Sequence, residues 1–131
     1  MPNLNYRAWW LAVGWSLVVL VTVLSLMPQP PQPMDFTNSD KLEHLSAYAL
    51  LMAWFCQIYW TGRRRLGLAL ALACMGVTVE ILQGMTGYRT FDTADMLANS
   101  AGVLAGWALS QTGMQHWLAA LDQRIGAPLK S

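Results

Sequence analysis

Twenty consecutive residues, Ala8 to Met27, carry no formal charge. As a helix they would span about 30 Å, the thickness of a bilayer's hydrocarbon core. A secretory signal peptide has a shorter apolar run and an A-x-A-like cleavage site, and neither fits here. As an uncleaved membrane helix, the run sets Trp9, Trp10 and Trp15 towards its cytoplasmic end as interfacial anchors. It stops at Pro28, where PQPPQP lacks backbone donors and favours a short, stiff loop.

The rest of the chain repeats the theme. Of 131 residues, 55% are hydrophobic and only 11% charged, well under half the charged fraction of a soluble domain. The length allows one domain, 1–131, and no more. Apolar runs predict further helices over about 41–60, 66–84 and 93–111, with Thr61 to Arg65 as a turn carrying three arginines. Met114, Trp117, Leu118, Leu121 and Ile125 recur at helical spacing among polar residues. That pattern predicts a short amphipathic helix over about 114–125 on the membrane surface, or else a poorly ordered tail. The expected fold is all-α: four transmembrane helices in a bundle with this C-terminal helix appended. The net charge of +1 says nothing about nucleic acid, and no basic run is long enough to suggest it, so no nucleic-acid partner is expected. Cys56 and Cys74 fall in apolar segments and read as reduced, packed thiols.

Lys and Arg counts set an orientation. Arg7, Arg63, Arg64, Arg65, Arg124 and Lys130 fall on one side, and Lys41 and Arg89 on the other. Both termini are therefore expected in the cytoplasm. Asp35, Asp40, Glu43, Glu80, Asp92 and Asp95 then sit towards the outer side, leaving only Asp122 within.

Polar groups concentrate between Glu80 and Gly106. Asp92, Asp95, Asn99, Gly102 and Gly106 follow steps of three and four, one stripe of one helix, acidic at its start and bare at its end. The GxxxG pair lets this helix approach another of the same chain, with dimerisation as the alternative. On the second helix Lys41, His44 and Tyr48 share a face. Asp40 with Glu43 has the spacing of a capping box, and so does Asp92 with Asp95. Glu80 lies about 21 Å along the third helix, still inside the membrane. A charge near the bilayer centre costs on the order of 3 kcal/mol, so Glu80 should be protonated or turned inward to His44, Arg89 or Lys41. Gln83 lies one turn further on the same face, and Arg89 could grip a phosphate or carboxylate.

Across these segments, DKLEH with Tyr48, EILQ, Arg89 and DTADMLANSAGVLAG occur in an order that resembles the VanZ-like family of small integral membrane proteins. The resemblance covers roughly residues 40 to 106. It implies a multi-pass protein of the bacterial cytoplasmic membrane, acting in the cell envelope, whose best-known relative confers low-level resistance to teicoplanin. It also implies that Asp40, Lys41, His44, Tyr48, Glu80, Gln83, Arg89, Asp95 and Asn99 match the family's polar pattern.

Three readings stand side by side. In the first the chain binds a lipid-linked envelope precursor. In the second it is an enzyme of acid/base or phosphoryl chemistry, with His44, Glu80 and Asp95 as catalytic groups. In the third the cluster only holds helices together. Lys41, Tyr48, Gln83, Arg89 and Asn99 would contact the ligand, while Asp40, Glu43 and Asp92 are caps or site residues. No cofactor is implied. The residue types allow a divalent metal, but no recognised ligand spacing is present.

Overall fold

The computed structural model describes residues 2–31, 33 and 35–127. Among these there is no strand. Five helices appear: α1 (Arg7–Leu26), α2 (Ser39–Ile58), α3 (Gly62–Met85), α4 (Thr93–Ser110) and α5 (Trp117–Gly126), the last preceded by a 3-10 turn at Met114–His116. The four long helices alternate up and down. Trp10 meets Trp54, Gln83 reaches Ser25, Arg65 reaches Tyr59, and Lys41 meets Asp95, which fixes each helix's direction.

α2 and α4 run in the same direction and touch along their backbones. A Cβ at Gly102 would overlap the carbonyl oxygen of Leu45, and one at Gly106 that of Ala49. Both glycines are buried, so the small-residue seam expected from the sequence is filled by α2 of the same chain. Around the seam Tyr48, Leu51, Met52, Cys56, Ala69, Leu72 and Val103 form the core. α2 is the central helix, whereas α1 buries only Gly14, against Phe55 and Trp54.

The outward faces are apolar. Trp9, Val19, Leu70, Leu97 and Leu104 are each at least 60% exposed. α1 and α3 are long and apolar enough to cross a membrane. Exposed side chains of this kind are what a bilayer solvates and water does not, which is consistent with a membrane protein.

Several local expectations are corrected. Arg63, Arg64 and Arg65 lie not in a turn but in the first turn of α3, where arginine is a good helix former. Arg65, buried, folds back to give hydrogen bonds to the carbonyls of Cys56 and Tyr59 and to Gln115 Oε1. It satisfies carbonyls that the end of α2 would otherwise leave bare. α2 begins two residues earlier than its apolar pattern indicates. Asn38, left-handed at φ 63°, is its N-cap and makes no side-chain capping bond. Asp40 and Glu43 are thereby shifted off the capping positions. Cys74 is exposed on α3 rather than packed, while Cys56 is buried, and both are free thiols. Lys130, counted with the cytoplasmic charges, and Gln32 of the proline segment lie outside the described residues.

α5 splits its apolar residues between two faces. Leu118, Ala119 and Asp122 are buried, while Trp117, Leu121 and Ile125 form an exposed stripe. Asp122 is 0% exposed and accepts from the amides of Asn5 and Tyr6 and from Trp10 Nε1, at 2.6, 2.9 and 2.7 Å. Gln57 Oε1 accepts from the Leu118 amide. The C-terminal helix is therefore clamped to the start of α1, at the bundle end that also holds Arg65. Burial pushes the Asp122 carboxyl up, but the Trp10, Tyr6 and Asn5 hydrogen bonds outweigh it and hold it below its ordinary value.

Two outcomes follow. Gly106→Ala should force α2 and α4 apart and destabilise the detergent-solubilised protein by about 1–3 kcal/mol in thermal unfolding. Gly67→Ala, where a Cβ meets nothing within 4 Å, should be neutral or stabilising. For the clamp, a carboxyl with a depressed folded-state pKa stabilises fully above the ordinary carboxylate range and loses that contribution as pH falls through its lowered value. The Trp10 indole NMR signal should hold through neutral and mildly acidic pH and move only below that range. In Asp122→Asn the dependence should vanish.

Candidate functional site

At the opposite end, the first turns of α2 and α4 lie side by side because the glycine seam holds their axes close. Lys41 Nζ donates to Asp40 Oδ2, Asp92 Oδ2 and Asp95 Oδ1, each at 2.8 Å. An ammonium has three N–H donors, and all three are engaged. Asp92 is the N-cap of α4, its side chain accepting from the Ala94 amide as the sequence suggests. The Lys41 ammonium, seconded by that amide, holds the Asp92 carboxyl below its usual range.

One turn deeper, His44 Nδ1 lies 2.9 Å from Asn99 Oδ1, and His44 Nε2 lies 3.7 Å from Asp95 Oδ2. Beneath them Tyr48, 1% exposed, packs with Asn99 against Gly76 of α3. A Cβ at Gly76 would come within 3.0 Å of Asn99 Cβ and 3.3 Å of the Tyr48 ring. The glycine lets α3 close over this layer.

Glu80 comes from α3 and is 0% exposed. The sequence predicts that it faces His44, Arg89 or Lys41. Its hydrogen bond is instead to backbone: Oε1 accepts from the Asp92 amide at 2.7 Å. The two acidic residues of the expected capping box at α4 are thus supplemented from another helix, since Asp95 is turned to Lys41. Glu80 still approaches the others, with one ligand atom each of His44, Glu80 and Asp95 lying within 4.8 Å of one another.

Gln83, Tyr88 and Arg89 do different work. Gln83 Nε2 donates to the Ser25 carbonyl at 2.6 Å, Tyr88 Oη to that of Leu26 at 2.7 Å, and Arg89 Nη1 to that of Met27 at 3.2 Å. Three side chains cap consecutive carbonyls at the end of α1, which no residue inside that helix can satisfy. Gln83, expected to bind ligand, is thereby placed away from the cleft. Arg89 lies both at this cap and in the cleft.

Two adjoining clefts share Asp40, His44 and Arg89. One, of about 200 Å³, runs between α1, the proline loop and α2, lined by Val21, Leu24, Pro30 and Tyr48 among others. The other, of about 320 Å³, is polar and is bounded by the 88–92 loop and Asp95. Glu43 borders the first cleft with Oε1 buried and unpartnered. Of the residues singled out by sequence, Lys41, His44, Tyr48, Glu80, Arg89, Asp92, Asp95 and Asn99 converge at this end. The part of α1 was missed, because backbone carbonyls and ordinary valines and leucines leave no mark in a sequence.

Comparison with known proteins gives a family. The family model VanZ/LLP1 matches residues 7–114, which takes in all four long helices and every residue of the clefts. An uncharacterized protein of the yeast Schizosaccharomyces pombe is 32% identical over 95 residues, 70% of this chain and 56% of that protein. The chain thus spans little more than half the length of this curated relative. No solved structure matches significantly. With the match running from the first residue of α1 to the turn before α5, the chain belongs to the VanZ/LLP1 family.

Proposed function

We propose that the chain crosses the membrane four times and binds the phosphate-bearing headgroup of a lipid-linked envelope precursor at the outer face of a bacterial cytoplasmic membrane. One observation carries the ligand class: the first cleft has an apolar wall of Val21, Leu24 and prolines facing a polar wall of Asp40, His44 and Arg89. Only an amphiphile matches both walls.

Support for four crossings lies in where the charges fall. In α2 and α4 the Asp, Glu, Lys and Arg residues all lie within the first five helical residues, and 45–58 and 96–110 are uncharged. At about 1.5 Å per residue, the 20 residues of α2 and 18 of α4 reach nearly across a hydrocarbon core. Arg7, Arg63, Arg64, Arg65 and Arg124 belong to the end opposite the site, where positive charge favours the cytoplasm. Both termini are then cytoplasmic, and the stripe of Trp117, Leu121 and Ile125 lies against the inner leaflet. Where a glycopeptide of teicoplanin type acts on the same precursor, such binding is how the protein would alter sensitivity.

The convergence of His44, Glu80 and Asp95 favours a second reading, in which the bound headgroup undergoes acid/base or phosphoryl chemistry with His44 as base. Binding of polyprenyl phosphate and of the matching polyprenol, to protein in nanodiscs, tests the first. The phosphate form should bind more tightly, and Arg89→Ala should cost about tenfold, the worth of one charge-assisted contact. Equal binding of the two lipids, or none, would remove the headgroup reading and leave a structural cluster. Turnover of the bound lipid that disappears in a folded His44→Ala variant would establish the second.

A further inference from the structure

His44, Glu80 and Asp95 bring one ligand atom each within 4.8 Å of one another at the base of the clefts, with no hydrogen bond among them. In the tautomer that donates Nδ1–H to Asn99 Oδ1, the His44 Nε2 lone pair faces Asp95 Oδ2, 3.7 Å away. Glu80 gives Oε1 to the Asp92 amide, and its Oε2 has no partner although the side chain is wholly buried. Lys41 does not relieve the crowding, because its three donors already go to Asp40, Asp92 and the other oxygen of Asp95. Converging lone pairs in a buried site are costly unless a cation lies among them.

We propose that His44, Glu80 and Asp95 form a three-ligand site for a divalent transition-metal ion of the Zn²⁺ or Mn²⁺ class. The donor set is one imidazole nitrogen and two carboxylate oxygens, and imidazole turns preference away from Ca²⁺ and Mg²⁺. Around zinc, donors at about 2 Å in a tetrahedron stand roughly 3.3 Å apart. The 3.7 Å between His44 and Asp95 is near that spacing, and all three donors fall within 4.8 Å of one another. Side-chain rotation alone could close the remainder.

The surroundings separate this group from an ordinary acidic cluster. Each ligand is oriented by an outer partner: His44 by Asn99, Glu80 by the Asp92 amide, and Asp95 by Lys41. That is the arrangement that fixes tautomer and direction in metal centres. The second cleft also borders His44 and Asp95, leaving a side open for an exogenous oxygen. Charge gives a further reason. Asp40, Glu43, Glu80, Asp92 and Asp95 outnumber Lys41 and Arg89, so an anionic headgroup would meet a net negative surface. A divalent ion removes most of that excess and offers the headgroup a direct ligand. The metal site thus deepens the lipid-headgroup reading without resting on it.

The test uses the full chain in detergent, stripped with a chelator and titrated with Zn²⁺ by calorimetry and Mn²⁺ by electron paramagnetic resonance, no lipid being added. One ion per chain is expected, with X-ray absorption reporting a single imidazole among oxygen ligands. His44→Ala and Glu80→Gln should each weaken binding about 100-fold or more, and Asn99→Ala about 10- to 100-fold through loss of orientation. His116→Ala, which removes the other histidine, should change nothing. Size-exclusion profiles establish that each variant is folded, and His44→Ala decides the matter if Glu80→Gln does not fold. Failure of the wild type to bind either ion, or binding that survives in His44→Ala and is lost in His116→Ala, overturns the site. Metal binding with no preference for polyprenyl phosphate would overturn the headgroup reading alone.

Discussion

The close backbone contact of α2 and α4 is the constraint on which the rest depends. Gly102 and Gly106 lie opposite the carbonyls of Leu45 and Ala49, and any side chain at either would overlap them. Because the two helices run in the same direction, this contact also brings their first turns level. Lys41 can then reach Asp92 and Asp95, and His44 can reach Asn99. In an antiparallel pair the two N-termini would lie at opposite ends and no such meeting would occur. Between helices in lipid, where apolar burial supplies little drive, close van der Waals contact and interhelical polar bonds are the main attractions available. The seam and the polar cluster are in that sense one structural device.

The polar cluster has a hierarchy set by depth. Its outer layer, Lys41 with Asp40 and Asp92, is partly exposed and near salt and water, where ion pairs contribute little. Its inner layer, Glu80, Asp95 and Asn99, is buried, where an unmatched polar atom costs far more. Yet the unmatched atoms belong to the inner side: Glu80 Oε2, Asn99 Nδ2, Tyr48 Oη and Glu43 Oε1 all lack partners. A cluster serving only to hold helices would place its best-satisfied groups where dissatisfaction is dearest. The inverted order is consistent with the proposed cation site, which would give Glu80 Oε2 a partner.

Much of this was legible in the sequence, for identifiable reasons. Charge-free runs delimit helices because a bilayer tolerates nothing else, and steps of three and four put Asp92, Asp95, Asn99, Gly102 and Gly106 on one face. Periodicity says which residues share a face but not what the face meets. The pairing of Glu80 with a backbone amide was therefore hidden, as was the capping of Ser25, Leu26 and Met27 by Gln83, Tyr88 and Arg89. Asp122 was hidden more completely. A lone carboxylate in a polar tail looks solvated, and its partners at Asn5 and Tyr6 lie 117 and 116 positions away. Boundaries erred where backbone turns decide, as when a left-handed Asn38 starts α2 ahead of its apolar pattern.

The two ends of the bundle solve opposite problems with the same residue types. At the far end Asp122 and Arg65 are buried with every named hydrogen bond directed at backbone or a single side chain, three each. Such groups are spent on joining the termini and closing α2. At the near end Lys41 is equally saturated, but Arg89 makes one 3.2 Å bond to a carbonyl and otherwise faces a cleft. Chain closure at one end fixes the helix axes, and that rigidity permits unsatisfied groups to stand fixed at the other. A site built on fixed helices can hold its acceptors together against their mutual repulsion, which a loop-borne site of the same composition could not do.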